Sequence, residues 1–396
     1  MLAENRLKII GGMGLAWFIL AMALPANKLY QQGLVLFLWL PSVLILLALG
    51  NRYFILVRSG SSVFWGMLAL WGWALLSLSW TEAIEPVREF KRIIYSFLFI
   101  NFFIIVVPLF VEQELIRLLR SFAYGLSLIS AISILNFYIV DVRPWHERIV
   151  GIGLFDHPIL GAYAIGVALV WLVYWTVGEF GEVSIRKNFV EFLVLVPLVF
   201  FVVLSQSRGA YISIAVALLS KPLWSGNRWD WIVTFILVVA LGAFSIFFFD
   251  VIEQRGLSFR PQIFIESLHM ITQHPWLGLG VGADYSIYIP EMNRFFDHSH
   301  NMFTHIGIQL GILGMLLWLG VWCSVFYVGW RNKNTNIGRG LLGLWVYSSA
   351  AMQFDAASFW STPRPEWMIS WLPLGLCMYI ILQEGKLRAD KRIKVN

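Results

Sequence analysis

The sequence predicts an all-α polytopic membrane protein, from its composition, its charge distribution and the length of its apolar runs. Of 396 residues, 59% are hydrophobic and 13% are charged, with 20 Trp and 31 Phe, which is far from the usual composition of soluble domains. The net charge of +6 is scattered among hydrophobic runs rather than gathered on one hydrophilic face, which argues against a nucleic-acid partner. We therefore expect a single integral membrane domain over residues 1–396.

Apolar runs near the length of a bilayer-spanning helix recur along the whole chain. A span needs about 20 apolar residues, and about twelve runs approach that length. The first run is followed by no small-residue cleavage site, so it is expected to remain as a helix rather than be removed as a signal peptide. The predicted spans cover residues 9–25, 33–50, 62–79, 93–111, 118–140, 159–177, 189–205, 210–224, 231–249, 302–329, 339–357 and 367–383.

The Lys and Arg residues predict the orientation, because cytoplasmic loops carry an excess of them. With the N-terminus in the cytoplasm, most Lys and Arg residues lie inside. An even number of spans returns the basic tail KLRADKRIKVN to the same side. The long loop 250–301, between the ninth and tenth spans, then faces outward as an insertion in the membrane domain. The inner loops contain no Walker-type GxxxxGK[ST] motif, which argues against an internal ATPase site.

The long loop 250–301 combines charge, histidine and glycine in one segment. Pro261 suits a first helical position and His274 a helix end, so we expect an interfacial helix within the loop. The run GLGVGADY that follows supplies flexible backbone. Its backbone N–H groups could approach an anion, but an ordinary turn is the more frequent role of such glycines.

Three arginines at the outer boundary are candidates for holding an anion. Arg208, in SQSRGAY, lies between two apolar runs with almost no loop around it, where a permanent cation is costly without a partner. Guanidinium groups bind phosphate in a bidentate way. Arg255 and Arg260 lie near the start of the loop helix, whose N–H groups would add to the site. Alternatively, Arg208 only marks the interface and the other two are ordinary loop charges.

The segment Asp297, His298, Ser299, His300 and Asn301 comes directly before the tenth span. An imidazole is the usual group for accepting a proton from a hydroxyl nucleophile. The H-x-H pattern beside an Asp could also bind a transition metal, but a third strong ligand is not evident. Asn301 could also act simply as a helix N-cap. We expect a catalytic base here, with no metal and no cofactor.

Four further charged residues could support such a site. Asp355 lies within or at the end of the eleventh span, where an acid is a functional candidate, as the counter-ion of an arginine or the orienter of a histidine. Lys91, Arg92 and Arg364, on other outer loops, could widen a cationic funnel. Each could equally be a surface charge.

The residues from His300 onward resemble a known family. His300 and Asn301 are followed, after nine residues, by Gly311 and Gly314. Together with SQSRGA, and with Arg260 followed by HPWLGLGVG, this pattern closely resembles the O-antigen ligase and polymerase family of bacterial envelope proteins. The resemblance covers the C-terminal half in motif and the whole chain in topology.

The resemblance implies a GT-C-like, metal-independent glycosyltransferase of lipopolysaccharide biosynthesis, in the bacterial inner membrane with its active site facing the periplasm. A ligase would move a glycan from undecaprenyl pyrophosphate to a sugar hydroxyl of the lipid A-core, with inversion at the anomeric carbon. By the same resemblance, Arg208 and Arg260 would bind the pyrophosphate and His300 would activate the acceptor hydroxyl. Asp355 matches only loosely an acidic position of the family, and Gln309 stands where the family often has Glu.

Two alternatives to a ligase stay open. An O-antigen polymerase would share the donor chemistry, but the single dominant outer loop favours a ligase. A lipid-linked glycan flippase belongs to a different class, because transporters usually place ionisable residues along a path at the membrane midplane. Here the ionisable residues cluster at the outer face, which favours an enzyme.

Overall fold

The structure is a computed structural model whose described part is almost entirely helical. A short antiparallel hairpin of β1 (Ile287–Ile289) and β2 (Arg294–Phe296) in the long loop is the exception among the described residues. The predicted class, an all-α membrane protein, is therefore confirmed. The structure describes residues 2–50, 53, 62–176, 185–225, 228, 230–232, 234–236, 238–239, 259–355 and 359–395.

The helices are numbered here in chain order. Their bounds are α1 Leu2–Leu20, α2 Asn27–Leu49, α3 Ser62–Ser77, α4 Pro86–Ile105, α5 Glu112–Leu135, α6 Pro158–Thr176, α7 Ile185–Ser205, α8 Arg208–Ser220, α9 Arg260–Gln273, α10 Met302–Arg331, α11 Asn336–Ala351 and α12 Trp371–Val395.

Within the described residues, 7 helices are long and apolar enough to cross a membrane, namely α1, α2, α4, α5, α6, α10 and α12. Helix α3 and the Phe189–Ser205 part of α7 are apolar but shorter. Helices α8 and α11, with 13 and 16 residues, occupy the predicted eighth and eleventh spans. The predicted ninth span, 231–249, lies largely outside the described residues, so the total of twelve spans stays a prediction.

The bundle is apolar both inside and outside, as expected for a protein surrounded by lipid. Trp171, Trp318 and Trp371 are fully buried between helices. On the outside, Leu47 is 73% exposed and Phe200 57% exposed. Helix α11 packs against α6, α8 and α10, and α12 packs against α4. Contacts with these three helices fix the end of α11, and therefore the position from which the segment that carries Asp355 begins.

The predicted start of the fourth span, after an outer loop 80–92, was wrong. Helix α4 begins at Pro86, so Lys91 and Arg92 lie within the helix and not in a loop. Proline favours the first helical positions. The Arg92 Nη1 atom lies 2.6 Å from a carboxylate oxygen of Glu89, one turn earlier, and this pair neutralises charge that would otherwise oppose an early helix start.

The predicted helix of the long loop is present as α9. Phe259 precedes it in the left-handed conformation, and Pro261 occupies one of the first two helical positions. Phe264, Ile265 and Leu268 on α9 are exposed apolar side chains. A helix with such a face suits the boundary between membrane and water. The first part of the loop, including the candidate Arg255, lies outside the described residues.

Helix α10 is broken at Gly311, which has φ 69° and ψ −174°. Only glycine adopts this backbone region readily. Because of the break, the carbonyl groups of Ile308 and Gln309 accept hydrogen bonds from N–H groups of the long loop. The Leu279 N–H donates to the Ile308 carbonyl at 2.9 Å, and the Gly280 N–H donates to the Gln309 carbonyl at 2.8 Å. The loop therefore replaces part of the helix's own hydrogen bonding.

The glycine run packs tightly against this break. The Ile312 N–H donates to the Pro275 carbonyl at 2.7 Å, and a Cβ atom added at Gly278 would lie 2.5 Å from the Gly311 nitrogen. The Val281 N–H is also occupied, by the Ser77 hydroxyl at 3.1 Å. These N–H groups are therefore used within the fold. The run is a structural turn rather than an anion cradle.

We expect Gly311→Ala to lower the thermal midpoint of unfolding of the purified protein. The strained backbone alone would cost about 1–3 kcal/mol, and the new Cβ atom would lie 2.3 Å from the Trp276 carbonyl oxygen. Gly320→Ala in the same helix is the matched control, because nothing lies within 4 Å of its added Cβ atom. Thermal unfolding in detergent, followed by size-exclusion chromatography, measures both. Equal midpoints for the two variants would contradict the prediction.

Candidate active site

Four chain segments meet at one end of the helix bundle and form the candidate site. They are the turn between α7 and α8, the start of α9, the residues before α10 and the residues after α11. The Met302 N–H at the start of α10 donates to the Met352 carbonyl at the end of α11, at 2.9 Å. This bond joins the segment that carries the histidines to the segment that carries Asp355.

The predicted tight break around Arg208 is a two-residue turn between α7 and α8. Gln206 has a left-handed backbone, with φ 51°, which reverses the chain after Ser205. The Ser207 side chain then accepts a hydrogen bond from the Ala210 N–H at 3.4 Å and caps α8. Arg208 is the first residue of α8, so its guanidinium group extends from the helix end into the site.

Arg208, Arg260 and His300 line one cavity of about 320 Å³. Its other walls include the apolar side chains of Ile212 and Phe264, from α8 and α9. The cavity therefore has cationic groups at one part and apolar surface at another. Such a combination suits a molecule with an anionic head and a hydrocarbon tail.

A second cavity, of about 360 Å³, shares Arg208 and Arg260 with the first and adds Arg148. The Arg148 Nε atom donates to the Ser205 carbonyl at 2.9 Å, which ties Arg148 to the α7–α8 turn. The Arg260 Nε atom is buried and has no hydrogen-bond partner among the described residues. A buried donor without a partner indicates a site for an external acceptor. No carboxylate lines either cavity in the described part of the chain.

His300 has a left-handed backbone, with φ 50°, directly before the start of α10. The strained conformation is unusual for a residue with a side chain and is typical of functional sites. Asn301 follows as the N-cap of α10, and its side chain accepts from the Phe303 and Thr304 N–H groups at 2.9 and 3.3 Å. The capping role considered for Asn301 is therefore real, and it fixes the backbone from which His300 projects.

The two histidines and Asp355 form a compact cluster. The His300 Nδ1 atom lies 3.1 Å from an Asp355 carboxylate oxygen, and the His298 Nε2 atom lies 3.5 Å from the same oxygen. The His298 Nδ1 atom bonds Asp297 at 2.6 Å, and the two imidazole rings lie 3.9 Å apart. Two roles were expected for Asp355, and its contacts with the histidines fit the role of orienting a histidine.

The same cluster could also hold a metal ion. The ligand atoms of His298, His300 and Asp355 lie within 4.8 Å of one another.

Charge within this cluster shifts the pKa values of its members. Burial opposes ionisation of Asp355, but hydrogen bonds from His298 and His300 outweigh it and hold the pKa of Asp355 well below its ordinary value. Burial alone would lower the pKa of His298, but Asp355 and Asp297 raise it above its ordinary value. The folded state therefore favours an ionised carboxylate beside a readily protonated imidazole.

We expect Asp355→Asn to reduce the plateau rate of the reaction by at least about tenfold, because the His300 imidazole loses the group that orients it. The pKa of the His298 imidazole should also fall, because Asp355 raises it. Rate measurements with the purified protein follow the first effect, and NMR titration of the histidine rings follows the second. Asp141→Asn, at an exposed position on another loop, is the matched control. An unchanged titration of His298 would argue against coupling between His298 and Asp355.

The same substitution should change the pH dependence of stability. The Asp355 contribution is present above its ordinary pKa of 3.8 and is lost as the pH falls through its lower folded value. The His298 contribution is present below 6.5 and is lost as the pH rises through its raised folded value. The difference in thermal midpoint between wild type and Asp355→Asn should therefore be largest between pH 3.8 and 6.5.

The other candidate residues divide between the site and its surroundings. Arg92 and His298 line a third cavity, which neither Arg208 nor Arg260 lines. Arg364 instead forms an ion pair with Glu366 at 2.8 Å. Lys91 is exposed and lines none of these three cavities.

Arg148 is the site residue that sequence reasoning missed. It lies in the loop between α5 and α6 beside other charged residues, and its position relative to Arg208 depends on how α6 and α7 pack. The available signal was its place before an apolar run, as for Arg208. That signal is too common in membrane proteins to single out one arginine.

Comparisons with known proteins identify similar sequences. Residues 192–319, which include Arg208, Arg260 and His300, match a family model described as O-antigen ligase. The chain is also 27% identical over 346 residues to an O-antigen ligase of Pseudomonas aeruginosa, covering 84% of this chain and 81% of that protein. Both matches confirm the resemblance that the motifs around His300 predicted, to the O-antigen ligase family.

Proposed function

We propose that the protein is an O-antigen ligase, which moves a glycan from undecaprenyl pyrophosphate to a sugar hydroxyl of the lipid A-core. The observation that carries the proposal is the shared cavity, in which two arginines distant from His300 in sequence lie with it around one space. Pyrophosphate is a good leaving group, so the reaction needs cations to hold developing charge and a base for the attacking hydroxyl. The cavity provides both groups.

In this mechanism the acceptor oxygen attacks the anomeric carbon from the side opposite the pyrophosphate. The bond between that carbon and the pyrophosphate oxygen breaks, and its electron pair leaves with the pyrophosphate. Arg208 and Arg260, assisted by Arg148, stabilise the negative charge that develops there. The His300 Nε2 atom takes the hydroxyl proton, while Asp355 holds the opposite ring nitrogen. A single displacement inverts the configuration at the anomeric carbon.

The cavity lined by Arg208, Arg260 and His300 is called the donor cavity here. Its apolar walls suit the lipid of the substrate. Ile212 on α8 and Phe264 on α9 line the cavity and are also exposed on the outside of the bundle. The prenyl chain would leave the cavity between these two helices and enter the membrane. The predicted orientation then places the site on the periplasmic face of the inner membrane, with both termini in the cytoplasm.

Deleting the gene and separating lipopolysaccharide by electrophoresis tests the function. A ligase predicts loss of all polymer-bearing lipopolysaccharide, with lipid-linked glycan accumulating in the membrane. A polymerase instead predicts lipopolysaccharide that carries one repeat unit, and a flippase predicts lipid-linked glycan trapped on the cytoplasmic face. Complementation with the wild-type gene is the positive control, and either alternative pattern would overturn the proposal.

We expect transfer by the purified enzyme to persist in the presence of a chelator. Guanidinium groups can supply the charge stabilisation for which other glycosyltransferases use a divalent cation. Dialysis against EDTA, followed by assay with and without added Mg²⁺, Mn²⁺ or Zn²⁺, measures this directly. Loss of activity that one of these ions restores would instead assign the cluster of His298, His300 and Asp355 to a metal.

A further inference from the structure

A third cavity adjoins the histidine cluster and is lined by neither Arg208 nor Arg260. Its volume is about 160 Å³, which is comparable to a single sugar ring. Its lining includes Glu89, Asp284, His298, His305 and Trp360. His298 faces this cavity and His300 faces the donor cavity, and their imidazole rings lie 3.9 Å apart. Each member of the histidine pair therefore lines a different cavity.

The charge of the third cavity differs from that of the donor cavity. Glu89 is buried and pairs with both Arg88 and Arg92, at 3.3 and 2.6 Å. Arg88 also pairs with Glu85 at 3.1 Å, so two carboxylates balance the two arginines. Asp284 and Asp297 add two further carboxylates at the wall. Carboxylates accept hydrogen bonds from hydroxyl groups but repel phosphate. This lining suits a polyhydroxylated, uncharged ligand.

His305 supplies an unpartnered polar atom at the inner end of the cavity. The residue is 5% exposed, and its Nε2 atom has no hydrogen-bond partner among the described residues. The His305 Nδ1 atom bonds the Tyr285 hydroxyl at 2.8 Å, and that hydroxyl also accepts the Ser299 N–H at 3.2 Å. Burial raises the pKa of Tyr285 to about 12, so its hydroxyl keeps its proton and donates to Nδ1. His305 Nε2 then carries the ring proton, as a donor without a partner.

Other features of the lining support a ligand there. The Arg92 Nε atom is also buried without a hydrogen-bond partner in the described part of the chain. Gly282 packs directly against Glu89, because an added Cβ atom would lie 2.2 Å from the Glu89 Cγ atom. At the rim, the Asp297 side chain is 91% exposed, so the cavity opens towards water.

We infer that this third cavity binds one uncharged sugar ring of the acceptor and presents its hydroxyl to the histidine pair. The inference rests on the proposed function and assigns the acceptor side of the same reaction. Direct displacement then requires the acceptor oxygen to reach the anomeric carbon from the side opposite the pyrophosphate. His305 and Asp284 determine acceptor binding and do not touch the donor.

Paired substitutions at His305 test the inference. The Asn side chain of His305→Asn can replace Nδ1 in the bond to Tyr285, but it is too short to place an atom where Nε2 was. The longer Gln side chain of His305→Gln can place its amide N–H group near the position of Nε2. We expect His305→Asn to raise the acceptor KM by about three- to tenfold, as for one lost hydrogen bond. His305→Gln should restore much of the loss, and the donor KM should stay at the wild-type value in both variants.

Asp284→Asn provides a second test with little risk to folding, because Asp284 is exposed. It should also raise the acceptor KM without changing the donor KM. Glu291→Gln, in the same loop but outside the three cavities, is the control and should change neither value. A change in the donor KM, or an acceptor KM unchanged in both His305→Asn and Asp284→Asn, would overturn the inference.

Direct binding separates this inference from the proposed function. The probe is lipid-free core oligosaccharide released by mild acid from lipopolysaccharide of the same strain, and saturation-transfer NMR without donor measures its binding. We expect binding to wild type and weaker binding to His305→Asn and Asp284→Asn. Equal binding to all three proteins, or none to wild type, would reject the acceptor site. Absence of transfer by a wild-type protein that binds the oligosaccharide would reject only the proposed function.

Discussion

His300→Ala is expected to reduce glycan transfer by about 10²- to 10⁴-fold, the usual contribution of a positioned general base. Binding of the lipid-linked donor should remain, because the arginines that hold the pyrophosphate come from α8 and α9. Transfer assays with purified enzyme measure the rate, and binding of undecaprenyl pyrophosphate measures the donor site separately. A rate near that of wild type would remove the assignment of His300 as the base.

Two controls make the His300 result specific. His269→Ala removes an exposed imidazole on α9, outside the three cavities, and should leave the transfer rate unchanged. His298→Ala tests the neighbouring ring. If His298 only supports the acceptor side, its removal should cost less than removal of His300. A larger loss in His298→Ala would transfer the role of base from His300 to His298.

Arg260→Ala is expected to weaken binding of the diphosphate donor by about 10- to 100-fold, as for one lost hydrogen bond between charged groups. The buried Nε atom of Arg260 indicates that its guanidinium group is held for an external partner. Arg260→Lys keeps the charge but not the planar fork, so it should recover only part of the affinity. Titration with undecaprenyl pyrophosphate measures the dissociation constants.

The matched control for Arg260→Ala is Arg117→Ala. Arg117 is an exposed arginine of α5 that lines none of the three cavities. Its removal makes the same change in net charge and should not alter donor binding. Because the donor interaction is electrostatic, high salt should weaken binding to wild type more than binding to Arg260→Ala. Equal affinities of Arg260→Ala and wild type would remove Arg260 from the donor site.

The sequence predicted those features of the site that depend on local pattern. Pro261 marks the start of α9 beside Arg260, and a polar break between two apolar runs marks the turn before Arg208. The H-x-H pattern directs attention to the segment before α10. Each of these signals lies within a few residues of the group that it identifies.

Features that depend on packing between distant segments could not be predicted in the same way. The contact between His300 and Asp355 depends on how α10 and α11 pack. Glu89 appears in sequence as a loop charge, yet it is buried beside Gly282. The break at Gly311 has no local signal either, because a glycine within an apolar run is common in membrane helices.

The broken helix α10 has a consequence for how the protein assembles and how it could be engineered. The long loop supplies donors to backbone carbonyls inside the bundle, and the Trp73 indole of α3 supplies another, to Leu310. The final conformation of α10 therefore requires chain segments synthesised well before it. For the same reason, a chimera that exchanges this loop between two relatives would need to carry residues 275–312 as one unit, since a foreign loop would leave buried carbonyls without donors.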